Sequence, residues 1–549
     1  LLGFKITMFI GLLPPLIVVI GIANCIYLLN KYHEEYRSHE NKIKALQRVI
    51  SKVGRAVLFT NLTTAVGFGV FVLTGSSVLQ EFGLTAFLAI MAVFLISIIL
   101  IPVLFSYLPA PKKRHTKHLD YKFLNSLIDK LATLVQTKRK QVYTTTIIIV
   151  ALSFVGMAML KNVGYMVDDI SKTDKLYLDL KFFEENINGV MPFEIVVDTD
   201  KPQGISNVRT LLNIDLLERK LMKYPEFSKP VSISQTMKFL NQAYYDGDPR
   251  RFRPPSVLDL GSIMDAVPQG NTNTSLINSL VSEDKSKARI SVQMADVGSV
   301  RIKELKAEVS LTADTIFNFR KKTTYNFTDS IIAIDLLDTA NALYDTTYYS
   351  YPTVNYTALD SSNTTDLSIT GTSIIFLKGN DYLISNLLMS LLIAFFIISL
   401  LMASIFKSLR MILISMVPNL IPLLFTAGVM GFFGVNFKPS TVLVFSVAFG
   451  IAVDFSIHFL TKYKMELAHS ASIAEAVSKV QKEISTSMIY TAVILFFGFI
   501  IFVFSDFGGT IALGLFTALT LLIALLSNLI LLPCLLLSYD DAQEKKKSL

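Results

Sequence analysis

Gly450-Ile451-Ala452-Val453-Asp454-Phe455-Ser456-Ile457-His458-Phe459-Leu460 lies in an apolar run that extends from about Thr441 to Leu460. A run of that length predicts a membrane-spanning helix. An ionised carboxylate at mid-membrane costs roughly 2.5–3.5 kcal/mol on insertion scales, so its presence needs a reason. Asp454 stands near the middle of the run, and His458 follows four residues later on the same helix face. A titratable face inside a bilayer points to proton or ion traffic.

The chain around this stretch has 549 residues, is 52% hydrophobic and carries a formal net charge of +8. Apolar runs occur at about 6–29, 54–74, 79–107, 143–160, 382–405, 411–432, 439–460, 485–505 and 508–537. Nine transmembrane helices follow, and the class is a polytopic α-helical membrane protein. Cys25 and Cys534 both fall in apolar runs, so no disulfide holds the large polar segment at 161–381. No signal-peptide pattern opens the chain, and it reads as the C-terminal portion of something longer.

Lys and Arg set the expected orientation. They gather in the loops 30–53, 406–410 and 461–484, in the linker 108–142, and in the tail 538–549 with Lys545, Lys546 and Lys547. Nine alternating spans put all five on one side, read as cytoplasmic. The opposite short connections carry only Lys438. Topology thus accounts for the basic balance, and no nucleic-acid partner is expected. In the linker, His115 and His118 sit beside basic residues and are read as interface residues.

The segment 161–381 reads as an extracytoplasmic α+β domain. Phe193–Val197, Ala288–Val292 and Thr372–Leu377 have strand character. Val208–Met222 and Val300–Phe317 have helical periodicity. The Pro-rich stretch 247–272 reads as a loop or hinge. Asn-x-Ser/Thr triplets at Asn273, Asn326, Asn355 and Asn363 are read as chance matches in a Ser/Thr-rich segment. The domain shows no metal-ligand spacing, phosphate-binding Gly loop or nucleophile elbow, so no enzyme activity, metal or cofactor is expected.

An internal repeat runs at an offset of 431 residues. It aligns Gly3 with Gly434, Lys31-Tyr32 with Lys462-Tyr463, Glu35 with Glu466 and Thr60 with Thr491. Further along it aligns Gly67-Phe68 with Gly498-Phe499, Gly83-Leu84 with Gly514-Leu515 and Pro102 with Pro533. Six helices separate the repeated elements, so the halves point the same way across the membrane, as a parallel repeat. On this plan the first half lacks its first three helices, and the natural chain is about 250–300 residues longer. Each half is also expected to carry a helix along the inner membrane face. Ser472 and Glu475 form a capping box for one, and Ala45, Leu46, Val49 and Val53 give the stripe of the other.

These residues resemble the resistance–nodulation–division (RND) superfamily, specifically its MMPL and Patched-like hydrophobe exporters. Gly450-x-x-x-Asp454-x-x-Ile457-His458-x-x-x-x-Tyr463-x-x-Glu466 is similar to that family's tenth-helix signature, and Gly21 to Glu35 to the matching fourth helix. Leu180–Ile195 is similar to the start of its second external domain. The resemblance implies helices four to twelve of twelve. It assigns 1–107 to a sterol-sensing-like end of the first bundle (helices four to six), 143–160 to the seventh helix, 161–381 to one porter-like domain and 382–537 to helices eight to twelve. It implies export driven by proton entry. Many such exporters carry an Asp-Tyr pair on both signature helices, whereas this chain has Asp454-Phe455 on one and Ala23-Asn24 on the other.

The expected relay is therefore asymmetric. Asp454 takes and releases a proton, His458 receives or tunes it, and Asn24, Tyr27 and Thr491 supply hydrogen bonds. Asn61, Asn419 and Asn528 are read as interhelical glue. The reading is a proton-driven exporter of hydrophobic or amphiphilic molecules, lipids or drugs, in a bacterial cytoplasmic membrane. Its partners are that cargo, protons and membrane lipids, with homo-oligomerisation left open. The bacterial assignment rests on the cysteine-free external segment. Alternatives are a non-transporting lipid- or sterol-sensing or assembly protein, and an RND-type protein-translocation helper.

Overall fold

The computed structural model describes residues 3–4, 6–112, 121–161, 163–165, 167, 169–187, 189–266, 279–325, 352–358, 364–470 and 472–538. The chain divides into two compact units, Leu1–Asp174 with Gly379–Leu549, and Lys175–Lys378.

Among the described residues of the first unit, nine helices are long and apolar enough to cross a membrane. In apolar surroundings the backbone must satisfy itself, and a helix does so within one segment. The helices of the first half are α1 (Leu13–His39), α2 (Lys42–Arg48), α3 (Gly54–Gly69) and α4 (Ser77–Tyr107). Then come α5 (Lys122–Thr137) and α6 (Arg139–Ala158). The second unit contributes α7 (Lys175–Ile187), α8 (Val208–Leu221), α9 (Ile233–Tyr244), α10 (Val257–Ala266) and α11 (Gly298–Asn318). The chain continues through α12 (Thr372–Phe406), α13 (Leu409–Phe432), α14 (Pro439–Leu467), α15 (Ile473–Ile500) and α16 (Gly508–Leu526).

Burial ranks these spans. The apolar window of α14 is 89% buried inside the protein, against 17% for α4 and for α6. The stretch that opened the sequence reading is thus the central post, and α3, α13, α15 and α16 pack around it. Small residues bring other helices together. A Cβ on Gly428 would lie 2.6 Å from Ser153 Cα, and one on Gly156 would lie 2.2 Å from the Gly428 carbonyl oxygen, so α6 and α13 touch backbone to backbone.

The repeat survives in three dimensions. Gly3 and Gly434, 431 residues apart, have φ of +69° and +66°, a region that glycine enters without penalty. The 3₁₀ turns Val70–Leu73 and Ile501–Phe504 stand at the same offset. So do two close approaches, Gly83 to the Phe68 carbonyl and Phe71 Cβ, and Gly514 to the Phe499 carbonyl and Phe502 Cβ.

The second unit is an α+β body. An antiparallel sheet has the order β2-β1-β5, with β1 Met191–Asp198, β2 Lys287–Met294 and β5 Asp366–Thr370. Register places Phe193 opposite Val292 and Ile195 opposite Ile290. Alternate residues Phe193, Ile195 and Val197 are buried, as period-two patterning requires, against Leu211, Ile214 and Leu217 of α8 and Ile302, Leu305 and Val309 of α11. A separate antiparallel pair joins β3 (Phe319–Tyr325) and β4 (Pro352–Ala358). Between α8 and α9, buried Lys238 bridges Asp215 at 2.5 Å and Glu218 at 3.1 Å.

Four local expectations change. Thr372–Leu377 is not a strand but the first turns of α12: Gly371, at φ +104°, ends β5, and Ile374 and Leu377 then enter the core at helical spacing. The stretch 247–272 contains α10, at Val257–Ala266. The helix expected along the inner face after Ser472 is not separate, because α15 runs unbroken from Ile473 to Ile500. In the first half, a π-helical segment at Val49–Val53 joins α2 to α3. The basic linker instead supplies the amphipathic helix α5, which packs on α15 through the face Leu124, Ile128, Ala132 and Val135. Lys113, Arg114, His115, Lys117, His118, Asn273, Asn326, Asn363 and the tail lysines lie outside the described residues.

Candidate functional site

The site begins where α3 crosses α14. A Cβ on Gly67 would lie 2.9 Å from Gly450 Cα, so the two backbones nearly touch. One turn from that contact on each helix stand Thr63 and Asp454. Thr63 Oγ1 lies 3.2 Å from Asp454 Oδ1. Thr64 Oγ1 lies 3.2 Å from Oδ2, 3.4 Å from Oδ1 and 3.2 Å from the Gly450 carbonyl oxygen. The acid from one repeat is thus cradled by hydroxyls from the other.

Counting protons shows what the cradle lacks. A hydroxyl donates once. Thr63 spends its proton on the Thr60 carbonyl oxygen at 2.8 Å, a shorter contact than the one to Asp454. Thr64 has one proton for Gly450 and the carboxyl group together. With Asp454 ionised, the cradle holds more acceptors than hydrogens. A proton on Asp454 corrects this by donating to Thr63 Oγ1, and burial in apolar surroundings disfavours the charged form of a carboxyl group in general.

All five residues expected at the relay, Asp454, His458, Asn24, Tyr27 and Thr491, line one cavity of about 30 Å³ beside the carboxyl group, with Thr64. That is room for about one water. The expected hydrogen bonds to Asp454 from Asn24, Tyr27 and Thr491 do not form, because each has another contact. Asn24 donates to Asn61 Oδ1 at 2.6 Å, and Thr491 donates to the Ser487 carbonyl at 2.9 Å. The Tyr27 ring lies against the His458 ring, centroids 3.9 Å apart. These two residues are repeat mates, 431 positions apart, meeting at the junction of the halves. His458 Nδ1 is buried and has no hydrogen-bond partner.

Tyr27 and His458 also line a second cavity, of about 590 Å³, at the basic end of the unit. There Lys31 pairs with Glu34 at 2.6 Å, and Ser487 donates to Glu34 at 3.3 Å. The two rings, tilted by 31° to one another, thus line both the small cavity and the large one. The asparagines read as glue do join helices: Asn61 meets Asn24, while Asn419, Ser456 and Asn528 close a ring across α13, α14 and the π-helical segment Ser527–Leu531.

Sequence reasoning missed Thr63 and Thr64. Four polar residues, Thr60, Asn61, Thr63 and Thr64, stand in a single apolar run one turn before Gly67, and that clustering was the available signal.

Comparison with known proteins adds three findings. The sequence model of the MMPL family matches residues 2–133 and 341–547, more than half of the chain. No curated protein matches the sequence. Among solved structures, the chain is similar to one described as the crystal structure of SecDF in Super-membrane-facing form, at 12% identity and a TM-score of 0.47. That match covers 97% of this chain and 55% of the other, so this chain spans about half the length of that protein.

Proposed function

This chain belongs to the MMPL family, and on that premise we propose that it is a proton-driven transporter exporting hydrophobic or amphiphilic molecules, lipids or drugs, from a bacterial cytoplasmic membrane. One observation carries the reading: a part-buried acid within a membrane span, Asp454, sits in a hydrogen-deficient cradle made by the opposite repeat. Protonation fills the deficit and draws α3 and α14 together. Loss of the proton leaves facing oxygens without hydrogens and pushes the helices apart. Each proton moving inward releases about 2.3 kcal/mol per 100 mV, enough to drive a modest cargo gradient. Tyr27 and His458 separate the acid from the large basic-end cavity, so motion of that ring pair sets when the proton leaves.

The test is transport by the full-length protein in proteoliposomes under an imposed pH gradient. Asp454→Asn keeps the shape and removes the titration. Export should fall at least about 100-fold, equivalent to roughly 2.7 kcal/mol, with normal insertion. Unchanged function in that variant would sink the proposal and favour a lipid-sensing or assembly role. Loss of protein secretion with cargo export intact would favour a translocation helper.

A further inference from the structure

The amphipathic helix α5 has more apolar surface than the protein covers. One stripe, Leu124, Ile128, Ala132 and Val135, is buried. A second stripe, Phe123, Leu127, Leu131 and Leu134, stands beside it at i, i+4, i+8 and i+11. Phe123 is 81% exposed and Leu127 38%, while Leu131 and Leu134 are half-buried. On the other side of the buried stripe the helix is polar. There Asn125 lines the large basic-end cavity, and Asp129 pairs with Lys482 at 3.3 Å. The polar flank thus turns toward the cavity and the apolar flank turns away from it.

Three contacts fix how α5 lies. Asp129 meets Lys482, three residues before the apolar run at about 485–505. The Val135 carbonyl meets Cys534 Sγ at 3.9 Å, three residues before the run at about 508–537 ends. Lys138 directly precedes α6. These points span about 13 Å of helix at 1.5 Å per residue, yet each stands near the basic end of an apolar run. The axis of α5 therefore runs along the membrane boundary.

Charge identifies what covers the open stripe. Between Lys112 and Lys140 the sequence holds nine Lys and Arg against two Asp. Among the described residues, no carboxylate pairs with Lys122, Lys130 or Lys138, and the one acid of α5, Asp129, is taken by Lys482. Basic segments beside a membrane span attract anionic lipid headgroups. Lysine stems lie along apolar surface while their ammonium groups stay wet. We propose that α5 is a docking surface for anionic phospholipid. Phe123 and Leu127 enter the edge of the acyl chains, and Lys122, Lys130 and Lys138 hold the phosphate groups. Neutral lipid satisfies the stripe but not the lysines, so the surface selects headgroup charge. It depends only on the spans and not on proton transport.

This chain holds no Trp, so Phe123→Trp places a fluorescent reporter on the stripe. The experiment uses purified full-length protein in nanodiscs of phosphatidylcholine and phosphatidylglycerol, with brominated acyl chains on one lipid or the other, read against the unsubstituted protein. Phe396→Trp, 70% exposed within the uncharged run at about 382–405, is the reference. Both brominated lipids should quench both reporters. At Phe123→Trp, phosphatidylglycerol should be favoured at least about fivefold, the effect of one lysine near an anionic surface. At Phe396→Trp the two lipids should be equal. Replacing Lys122, Lys130 and Lys138 together by Gln should abolish the preference. If that variant fails to fold, salt decides with the lysines intact, because at about 1 M the Debye length is about 3 Å and the preference should vanish. Quenching at Phe396→Trp alone would mean that water or a protein partner covers the stripe, and overturns the surface. Equal quenching by the two lipids at Phe123→Trp, or a preference that survives high salt or loss of the lysines, overturns it as well.

Discussion

The crossing of α3 on α14 has a repeat mate, the crossing of α15 on α1, and the two differ where the acid and its two hydroxyls stand. At the first, Gly67 meets Gly450 backbone to backbone. At the second, Gly498 meets Val19, the repeat mate of Gly450, and a Cβ on Gly498 would lie 2.6 Å from Val19 Cγ1. Asp454, Thr63 and Thr64 are replaced in the mate by Ala23, Ile494 and Leu495. Ala23 and Leu495 line the same small cavity that Asp454 and Thr64 line, so the cavity has a polar wall from one crossing and an apolar wall from the other. Duplication thus supplied two equivalent helix contacts. One holds the ionisable group, and the other keeps only the packing. On the proposed function, a tandem fold does not need two relays: one crossing switches while the other serves as a fixed bearing.

Transplanting the acid is the sharpest way to break this comparison. Ala23→Asp puts a carboxyl group where no hydroxyl cradle waits. It should cost about 2.5–3.5 kcal/mol, read as reduced membrane insertion and yield. Adding Ile494→Thr and Leu495→Thr should recover part of the loss, whereas recovery without them would show that the cradle is unimportant.

Packing comes next in size. Gly67→Ala drives a methyl group into Gly450 Cα, which belongs to backbone and cannot step aside, and should cost roughly 1–3 kcal/mol by thermal melting. Gly498→Ala meets a side chain instead, so Val19→Ala should relieve it. A double-mutant cycle should give a coupling of about 0.5–3 kcal/mol for that pair. Similar costs at both glycines, with no relief from Val19→Ala, would mean the crossings are mechanically alike.

The smallest effect isolates one hydroxyl. Thr64→Val keeps the shape and removes the donor, and should lower transport about three- to tenfold, since a net hydrogen bond contributes roughly 0.5–1.5 kcal/mol. Thr64→Ser should restore it. Leu495→Val, at the mate position, should leave transport unchanged, and an equal loss there would erase the distinction between the two walls.

The spans, their number, the repeat and the acid were legible in the sequence, because length, hydropathy and a charge inside an apolar run are properties of a chain read along itself. Apolar runs long enough to cross a bilayer form helices whatever their neighbours, so periodicity and counting sufficed. Misreadings arose where neighbours decide. Thr372–Leu377 has strand-like composition, yet Gly371 ends the strand and the residues beyond it join a long helix. The amphipathic segment after Ser472 has the pattern of an independent helix, yet it continues into the span.

The sequence alone determined that Asp454 is costly, that His458 shares its face, and that Tyr27 and Asn24 come from the matching helix of the other half. Tertiary structure decided whom each touches. Asn24 turned to Asn61, Thr491 to its own helix, and Tyr27 to His458, while Thr63 and Thr64 took the acid. The physical reason is that hydrogen bonds act over about 3 Å. Which groups come that close depends on where two helices may approach, and here two glycines 383 positions apart set that point.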